Sequence, residues 1–306
     1  MHKFTYRTVF LSDIHLGFAG VNAAELSAFL KHLRCGRLYL VGDILDLWSL
    51  KSRWRWPVMH NQVVRRILKL AKQGTVVTYI PGNHDESLRQ YVGLDLGGVK
   101  IAKRAVHRTA DQKTLLVTHG DEYDMVVQSS PLLTLMGTWA YDYLIGLNRR
   151  VNWVRGLVGM KRWSFSHAIK ARVKSACTFI SNFEQVLLAE AQRRGFDGVV
   201  CGHIHQPELR HVTHEGWTGV YANCGDWLER STALVEHADG RLEIIDVEKL
   251  LADAGIEIKR LSEDPVPLEF PGAEESVDES GDKSGEESGA GAPEADEAVE
   301  SRGYAA

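Results

Sequence analysis

Five apolar, strand-like runs in this chain each stop at side chains that bind metals. Thr8-Val9-Phe10-Leu11 runs into Ser12-Asp13-Ile14-His15, and Arg37 to Val41 runs into Gly42-Asp43-Ile44-Leu45-Asp46. Val76 to Ile80 leads to Pro81-Gly82-Asn83-His84-Asp85, Lys113 to Thr118 to His119-Gly120-Asp121, and Asp197 to Cys201 to Gly202-His203-Ile204-His205. A polar group at the end of a buried strand needs a partner. Asn offers a neutral oxygen, while His can ligate, donate a proton or hold an anion. Taken singly the motifs are weak: Pro81 to Asp85 reads equally as a capped turn, and two core histidines would account for Gly202 to His205. Together they restrict the fold, because strands of one sheet end along one edge, where residues distant in sequence converge. The candidate ligands are Asp13, His15, Asp43, Asn83, His119, His203 and His205.

The segments between these strands read as helices in the first half. Asn22 and Glu25 have the spacing of a capping box, with Leu26, Phe29, Leu30 and Leu33 as a buried stripe. A second helix starts near Pro57, runs to about Gln73 with Val63, Val64, Ile67, Leu68 and Ala71 on its apolar side, and stops at Gly74. A strand pair is expected over Val99 to Val106. Residues 125–195 carry no strand signal and read as several helices, the last with Phe179, Ile180, Phe183, Val186 and Leu187 inward and Gly195 as its stop. After residue 205 the strands are short and hairpin-linked: Glu208 to Thr213, Trp217 to Tyr221, Thr232 to Val235 and Arg241 to Val247. Two packed sheets with helices outside satisfy both halves.

The chain has 306 residues, 44% hydrophobic and 25% charged, which suits one large soluble domain. Residues 1–262 are read as that domain. Residues 263–306 hold 14 acids against 2 bases and little that can be buried, so they read as a disordered acidic tail. The remainder carries a net +8, of which residues 125–195 supply +7. That charge suits an anionic substrate, a membrane surface or nucleic acid, or only a solvated helical face. Cys35, Cys177, Cys201 and Cys224 show no CxxC spacing and read as reduced thiols of a cytoplasmic protein. No uninterrupted apolar run reaches the length needed to span a bilayer.

The three carboxylate or amide oxygens and four imidazoles suffice for two divalent ions. This mixed oxygen–nitrogen set suits manganese, iron or zinc better than calcium. Two ions about 3.5–4 Å apart can clamp the attacking and leaving oxygens of a phosphoryl displacement.

The array resembles the calcineurin-like metallophosphoesterases over about residues 8 to 248. The resemblance implies an α/β fold, a four-layer αββα sandwich, here with a helical cap insertion at about 125–195. It implies that Asp13, His15, Asp43 and His205 hold one ion and Asp43, Asn83, His119 and His203 the other, with manganese favoured over iron or zinc. It gives His84 a catalytic role at the phosphate and leaving group, Asp85 the role of orienting His84, and Asp46 a supporting one. Within that family the chain is most similar to the UDP-2,3-diacylglucosamine hydrolases of lipid A synthesis, through Gly42-Asp43-Ile44-Leu45-Asp46-Leu47-Trp48, His119-Gly120-Asp121 and Cys224-Gly225-Asp226-Trp227. One departure is that the well-characterised branch has Arg where this chain has His84. The expected substrate is a nucleotide-linked or lipid-linked phosphate, met at the inner membrane surface, with no specific nucleic acid. Arg149, Arg150, Trp153, Arg155, Lys161 and Arg162 are the candidate substrate contacts, since cations interleaved with apolar residues suit an acylated anion. Trp48, Trp54 and Trp56 are ambiguous between substrate contact and packing. A phosphodiesterase or nuclease with the same centre is the alternative; an intact ligand set argues against a noncatalytic scaffold.

Overall fold

In the computed structural model the described residues are 4–52, 54–124, 166–214 and 216–260, with side chains left out of account at 166–178 and 214. They belong to one unit, Met1–Val266. In chain order the strands are β1 (Phe4–Leu11), β2 (Leu33–Val41), β3 (Val76–Ile80), β4 (Asp95–Leu96), β5 (Val99–Ile101), β6 (Ala105–Arg108), β7 (Thr114–Val117), β8 (Gly198–Cys201), β9 (Glu208–His214), β10 (Trp217–Asn223), β11 (Thr232–Glu236) and β12 (Leu242–Asp246). The helices are α1 (Ala23–His32), α2 (Leu47–Ser52), α3 (Val58–Lys72), α4 (Ser166–Arg193) and α5 (Val247–Asp253). One sheet has the order β12-β11-β1-β2-β3-β5-β4 and the other β6-β7-β8-β10-β9.

Period-two alternation sorts side chains into layers. Val9, Leu11, Leu38 and Leu40 face the α1, α3 and α5 side of the first sheet. Phe10, Tyr39, Val41 and Ile80 face the other way, onto Leu115, Val117 and Val200 of the second sheet. Leu116, Val199 and Cys201 point outward again, to Phe183 and Leu187 of α4. The result is the helix–sheet–sheet–helix order that the sequence suggested. Buried Glu236 of β11 also ties the sheets together. Its carboxylate accepts from Arg7 (2.6 Å), Thr8 (2.7 Å) and the Ala110 N–H (2.7 Å), and lies 2.9 Å from His107 Nε2 on β6.

Several local expectations change. The Val99 to Val106 pair is not a hairpin: β5 runs parallel to β3 in the first sheet, while β6 pairs antiparallel with β7 in the second. Leu33 begins β2 rather than closing α1, although it is buried as expected. The capping box does not form. Asn22 makes no side-chain cap, and Glu25 turns inward to meet Arg260 at 2.9 Å. On α3 the buried stripe is His60, Val63, Ile67 and Leu70, and Leu68 is 41% exposed. Among the described residues no helix is long and apolar enough to cross a membrane, and Cys35, Cys201 and Cys224 are free and buried.

His60 gives this helix a pH dependence. Its Nδ1 accepts the Gly17 N–H at 3.0 Å, and the side chain is buried. Burial, with Arg55 adding to it, lowers its pKa to about 4 from 6.5. Between those values the unfolded chain binds the proton more tightly, so stability falls as pH drops from 6.5 towards 4. The loss should be about 2 kcal/mol between pH 8 and pH 5. Urea unfolding in chelator should therefore show the gap between wild type and His60→Leu narrowing by that amount; a gap independent of pH would refute it.

Candidate metal centre

The ends of β1, β2 and β3 in one sheet and of β7 and β8 in the other meet at one place. The loops that leave them are unusual. Asp13 (φ 51°), His15 (56°), Asp43 (53°), His203 (72°) and His205 (54°) are all left-handed, and among the described residues only Gln112 (70°) joins them as a non-glycine. Each such residue costs about 1–3 kcal/mol and persists only where its surroundings over-determine it. Here the first two loops hold each other. Asp13 N–H donates to Gly42 O (3.1 Å), His15 N–H to Asp43 O (2.8 Å) and Leu16 N–H to Ile44 O (2.8 Å).

Glycine makes room for the donors. A Cβ on Gly82 would stand 2.3 Å from Asp43 Oδ1, and one on Gly202 would stand 2.4 Å from Asp13 Oδ2. A Cβ on Gly42 would meet the His119 ring at 2.1 Å. All three positions therefore need glycine for close approach rather than for turning alone.

Asp13, His15, Asp43 and His119 are almost fully buried. Donor atoms of Asp13, His15 and His205 lie within 4.8 Å of one another, as do those of Asp13, Asp43 and His119. Asp43 Oδ2 stands between two imidazoles, 3.4 Å from His119 Nε2 and 3.9 Å from His15 Nε2. His205 Nε2 is 3.2 Å from Asp13 Oδ1, and Asn83 Oδ1 is 3.3 Å from His119 Nε2. Donors bound octahedrally at about 2.1 Å are about 3 Å apart, so this spacing suits a shared cation. His15 Nε2 is buried without a hydrogen-bond partner, as a nitrogen kept for an ion would be.

The imidazoles are anchored from outside. His119 Nδ1 bonds Val41 O at 3.0 Å, and His15 Nδ1 lies 3.5 Å from Asp46 Oδ2. Burial opposes the charge on Asp43, but the facing His119, His15 and His84 outweigh it and hold the carboxyl below its usual range. The same competition, burial against Asp43 and Asp13, raises His119 to about 10. Asp13 is likewise lowered, its burial being outweighed by His205 and His119.

His84 lies at the edge of this cluster, its side chain a quarter exposed. Its ring crosses that of His15 at a centroid distance of 4.5 Å, and the Trp48 indole lies 4.2 Å from it. The orienting carboxylate is Asp46, whose Oδ1 is 3.2 Å from His84 Nδ1. This corrects the reading of Asp85. That carboxylate faces inward, accepting from the N–H groups of Gly82 (2.6 Å), Ile44 (2.8 Å) and Leu45 (3.2 Å) and from the Tyr79 hydroxyl. It braces the loops that carry Asp43 and Asn83 and does not touch His84. Burial pushes the Asp85 carboxyl up.

His203 stands apart from the expected set. Its ring packs against His119 at 5.1 Å, but its Nε2 is 2.8 Å from Asp124 Oδ2. Asp124 carried no signal in the sequence beyond following a ligand motif. Asp121 is held by Arg89 at 2.6 Å. Of these three tryptophans, Trp56 packs on the core, Trp54 is exposed, and Trp48 reaches the site. Arg149, Arg150, Trp153, Arg155, Lys161 and Arg162 lie outside the described residues.

The chain is similar to known proteins over this whole region. The calcineurin-like phosphoesterase family profile matches residues 6–207. A protein named UDP-2,3-diacylglucosamine hydrolase from Xanthomonas campestris pv. campestris (strain 8004) is 28% identical, covering 76% of this chain and 96% of that protein. One of the same name from Aeromonas salmonicida (strain A449) is 24% identical, covering 74% of this chain and 89% of that protein. Among solved structures, vacuolar protein sorting 29 from Cryptosporidium parvum aligns at 12% identity and a TM-score of 0.35, over 78% of this chain and 94% of that one. The chain belongs to the calcineurin-like phosphoesterase family and is a metal-dependent hydrolase of phosphoester or phosphoanhydride bonds.

Proposed function

We propose that this protein hydrolyses the pyrophosphate of UDP-2,3-diacylglucosamine, or of a similar nucleotide-linked lipid, at a two-ion centre. Asp43 carries the reading, since its Oδ2 lies between His15 and His119. A carboxylate so placed can be shared. Asp13, His15, Asp43 and His205 then form one ligand set, and Asp43, Asn83, His119 and His203 the other. The mixed donor set favours manganese, with iron and zinc as alternatives. Two such ions supply Lewis-acid stabilisation of the phosphoryl oxygens and a nucleophile at neutral pH.

The protein's own part is to hold and protonate. Asp46 fixes His84 through Nδ1, which leaves Nε2 to face a phosphoryl group. His84 has a raised pKa: burial lowers it, but the close contact with Asp46 and the charges of Asp43, Asp46 and Asp85 prevail. When protonated, that imidazole stabilises a phosphate oxygen and can give its proton to the departing one. Water adds to phosphorus, the anhydride P–O bond breaks, and UMP and an acylated sugar phosphate leave.

The relatives' shared name supports the substrate, at 24–28% identity. The remaining assignments belong to this reading: residues 1–262 form the catalytic domain, 263–306 lie outside it, and the basic, apolar segment 125–195 receives the acyl chains at the cytoplasmic face of an anionic membrane. The test is turnover of a substrate panel with manganese. UDP-2,3-diacylglucosamine should exceed a nucleotide cyclic diester, single-stranded DNA and an aryl phosphate by about 100-fold or more in kcat/KM, a difference of about 2.7 kcal/mol in transition-state stabilisation. Equal or faster turnover of the DNA or the cyclic diester would replace this reading with a general phosphodiesterase.

A further inference from the structure

The imidazoles of the centre are anchored in two different ways. His119 and His15 have Nδ1 turned outward, to Val41 O and Asp46, and Nε2 turned inward. His203 is reversed. Its Nε2 points outward to Asp124, 2.9 Å from Oδ1 and 2.8 Å from Oδ2. The His203 ring packs between His119 (5.1 Å between centroids) and Phe183 (5.8 Å). Its main-chain N–H is bound to the Asp13 carboxylate at 3.0 Å, which fixes the base of the side chain.

The acids around Asp124 are committed elsewhere. Asp121 pairs with Arg89 (2.6 Å) and Glu122 with Arg104 (3.3 Å). Of the three, Asp124 is the one that touches an imidazole of the centre. Phe183 of α4 also seats this turn: a Cβ on Gly120 would meet its ring at 2.5 Å.

A ligating His ordinarily gives its other ring N–H to a carboxylate or carbonyl, which sets the tautomer and strengthens the ligand. We propose that Asp124 is a positioning residue for the second ion: by accepting the His203 Nε2–H it leaves Nδ1 as that ion's ligand. The proposal rests on the two-ion reading above. It explains why His203 meets Asp124 rather than Asp43 without removing it from the ligand set.

Manganese titration of chelator-stripped full-length protein by calorimetry tests this. Wild type should bind two ions. Asp124→Ala should weaken one site by about 10–100-fold and leave the other unchanged. Asp124→Asn, which keeps an acceptor oxygen without the charge, should fall between them. Two unchanged sites in Asp124→Ala would overturn the proposal. So would equal weakening of both sites together with a lower melting temperature of the stripped protein, which would make Asp124 a fold element. A wild type that binds one ion would instead refute the two-ion reading, and the proposal with it. Long-range nitrogen–proton NMR of the zinc-loaded protein gives a second readout. His203 should carry its proton on Nε2, and a proton on Nδ1 would overturn the assignment.

Discussion

Asp43→Ala should lower turnover by about three orders of magnitude or more and abolish the rise in melting temperature that manganese produces. The size of the loss is set by what the carboxylate touches. Its Oδ2 faces both His15 and His119, and its Oδ1 accepts the His84 N–H at 2.9 Å. Removing it takes an oxygen from both proposed ligand sets and frees the backbone of His84. Loss of several kcal/mol of Lewis-acid stabilisation corresponds to about a thousandfold or more in rate. The fold should survive. Asp43 is paired with imidazoles, which favours it, but it also repels Asp13 and Asp85. Its removal therefore loses attraction and relieves repulsion together, and the stripped variant should melt within a few degrees of wild type. Ion binding adds stability as RT ln(1 + [L]/Kd), about 2.7 kcal/mol per site at 100 times Kd, so its loss is readable by differential scanning fluorimetry. Wild-type turnover, or an undiminished manganese shift, would rule out a bridging role.

The layers were legible because alternation is a local signal. Val9 and Leu11 against Phe10, or Leu38 and Leu40 against Tyr39, sort to opposite faces whatever their sheet neighbours are. The partner of a short strand is not local. Val99–Ile101 and Ala105–Arg108 are separated by three residues, which reads as a hairpin, yet they join different sheets. Nothing within those residues specifies β3 for one and β7 for the other. The centre shows the same division. Ligand-type residues at strand ends could be read one motif at a time. Their outer partners could not, because adjacency in sequence misleads in a tight turn. Asp85 follows His84 directly, but its carboxylate folds back onto Gly82, Ile44 and Leu45, and Asp46, from another strand end, is the group that reaches His84. The capping signature at Asn22 and Glu25 failed for a tertiary reason: Glu25 is engaged by Arg260, 235 residues away, and Asn22 makes no side-chain cap.

Gly82→Ala should disable the centre without removing a ligand. Its new methyl would sit 2.3 Å from Asp43 Oδ1 and 2.6 Å from His119 Nε2. Neither neighbour is a free side-chain end. Asp43 Oδ1 is tied to the His84 N–H, and His119 is tied through Nδ1 to Val41 O. The strain must therefore move the donors, and Gly82 itself is held by its N–H bond to Asp85 at 2.6 Å. A displacement of about 1 Å at a reacting centre costs on the order of a hundredfold, so kcat/KM should fall by about 10²–10³, with manganese affinity falling alongside. Overpacking of this kind costs about 1–3 kcal/mol of stability, which a 266-residue unit can absorb without unfolding. Gly74→Ala is the matched control. Gly74 is left-handed (φ 96°), and a Cβ there would meet nothing within 4 Å, so the variant should lose about 1–2 kcal/mol while keeping manganese affinity and turnover. If both variants lose stability and only Gly82→Ala loses the metal, glycine at position 82 is there to let Asp43 and His119 approach. Wild-type manganese affinity in Gly82→Ala would mean that the donors can shift without cost, and that the centre is looser than its hydrogen bonds imply.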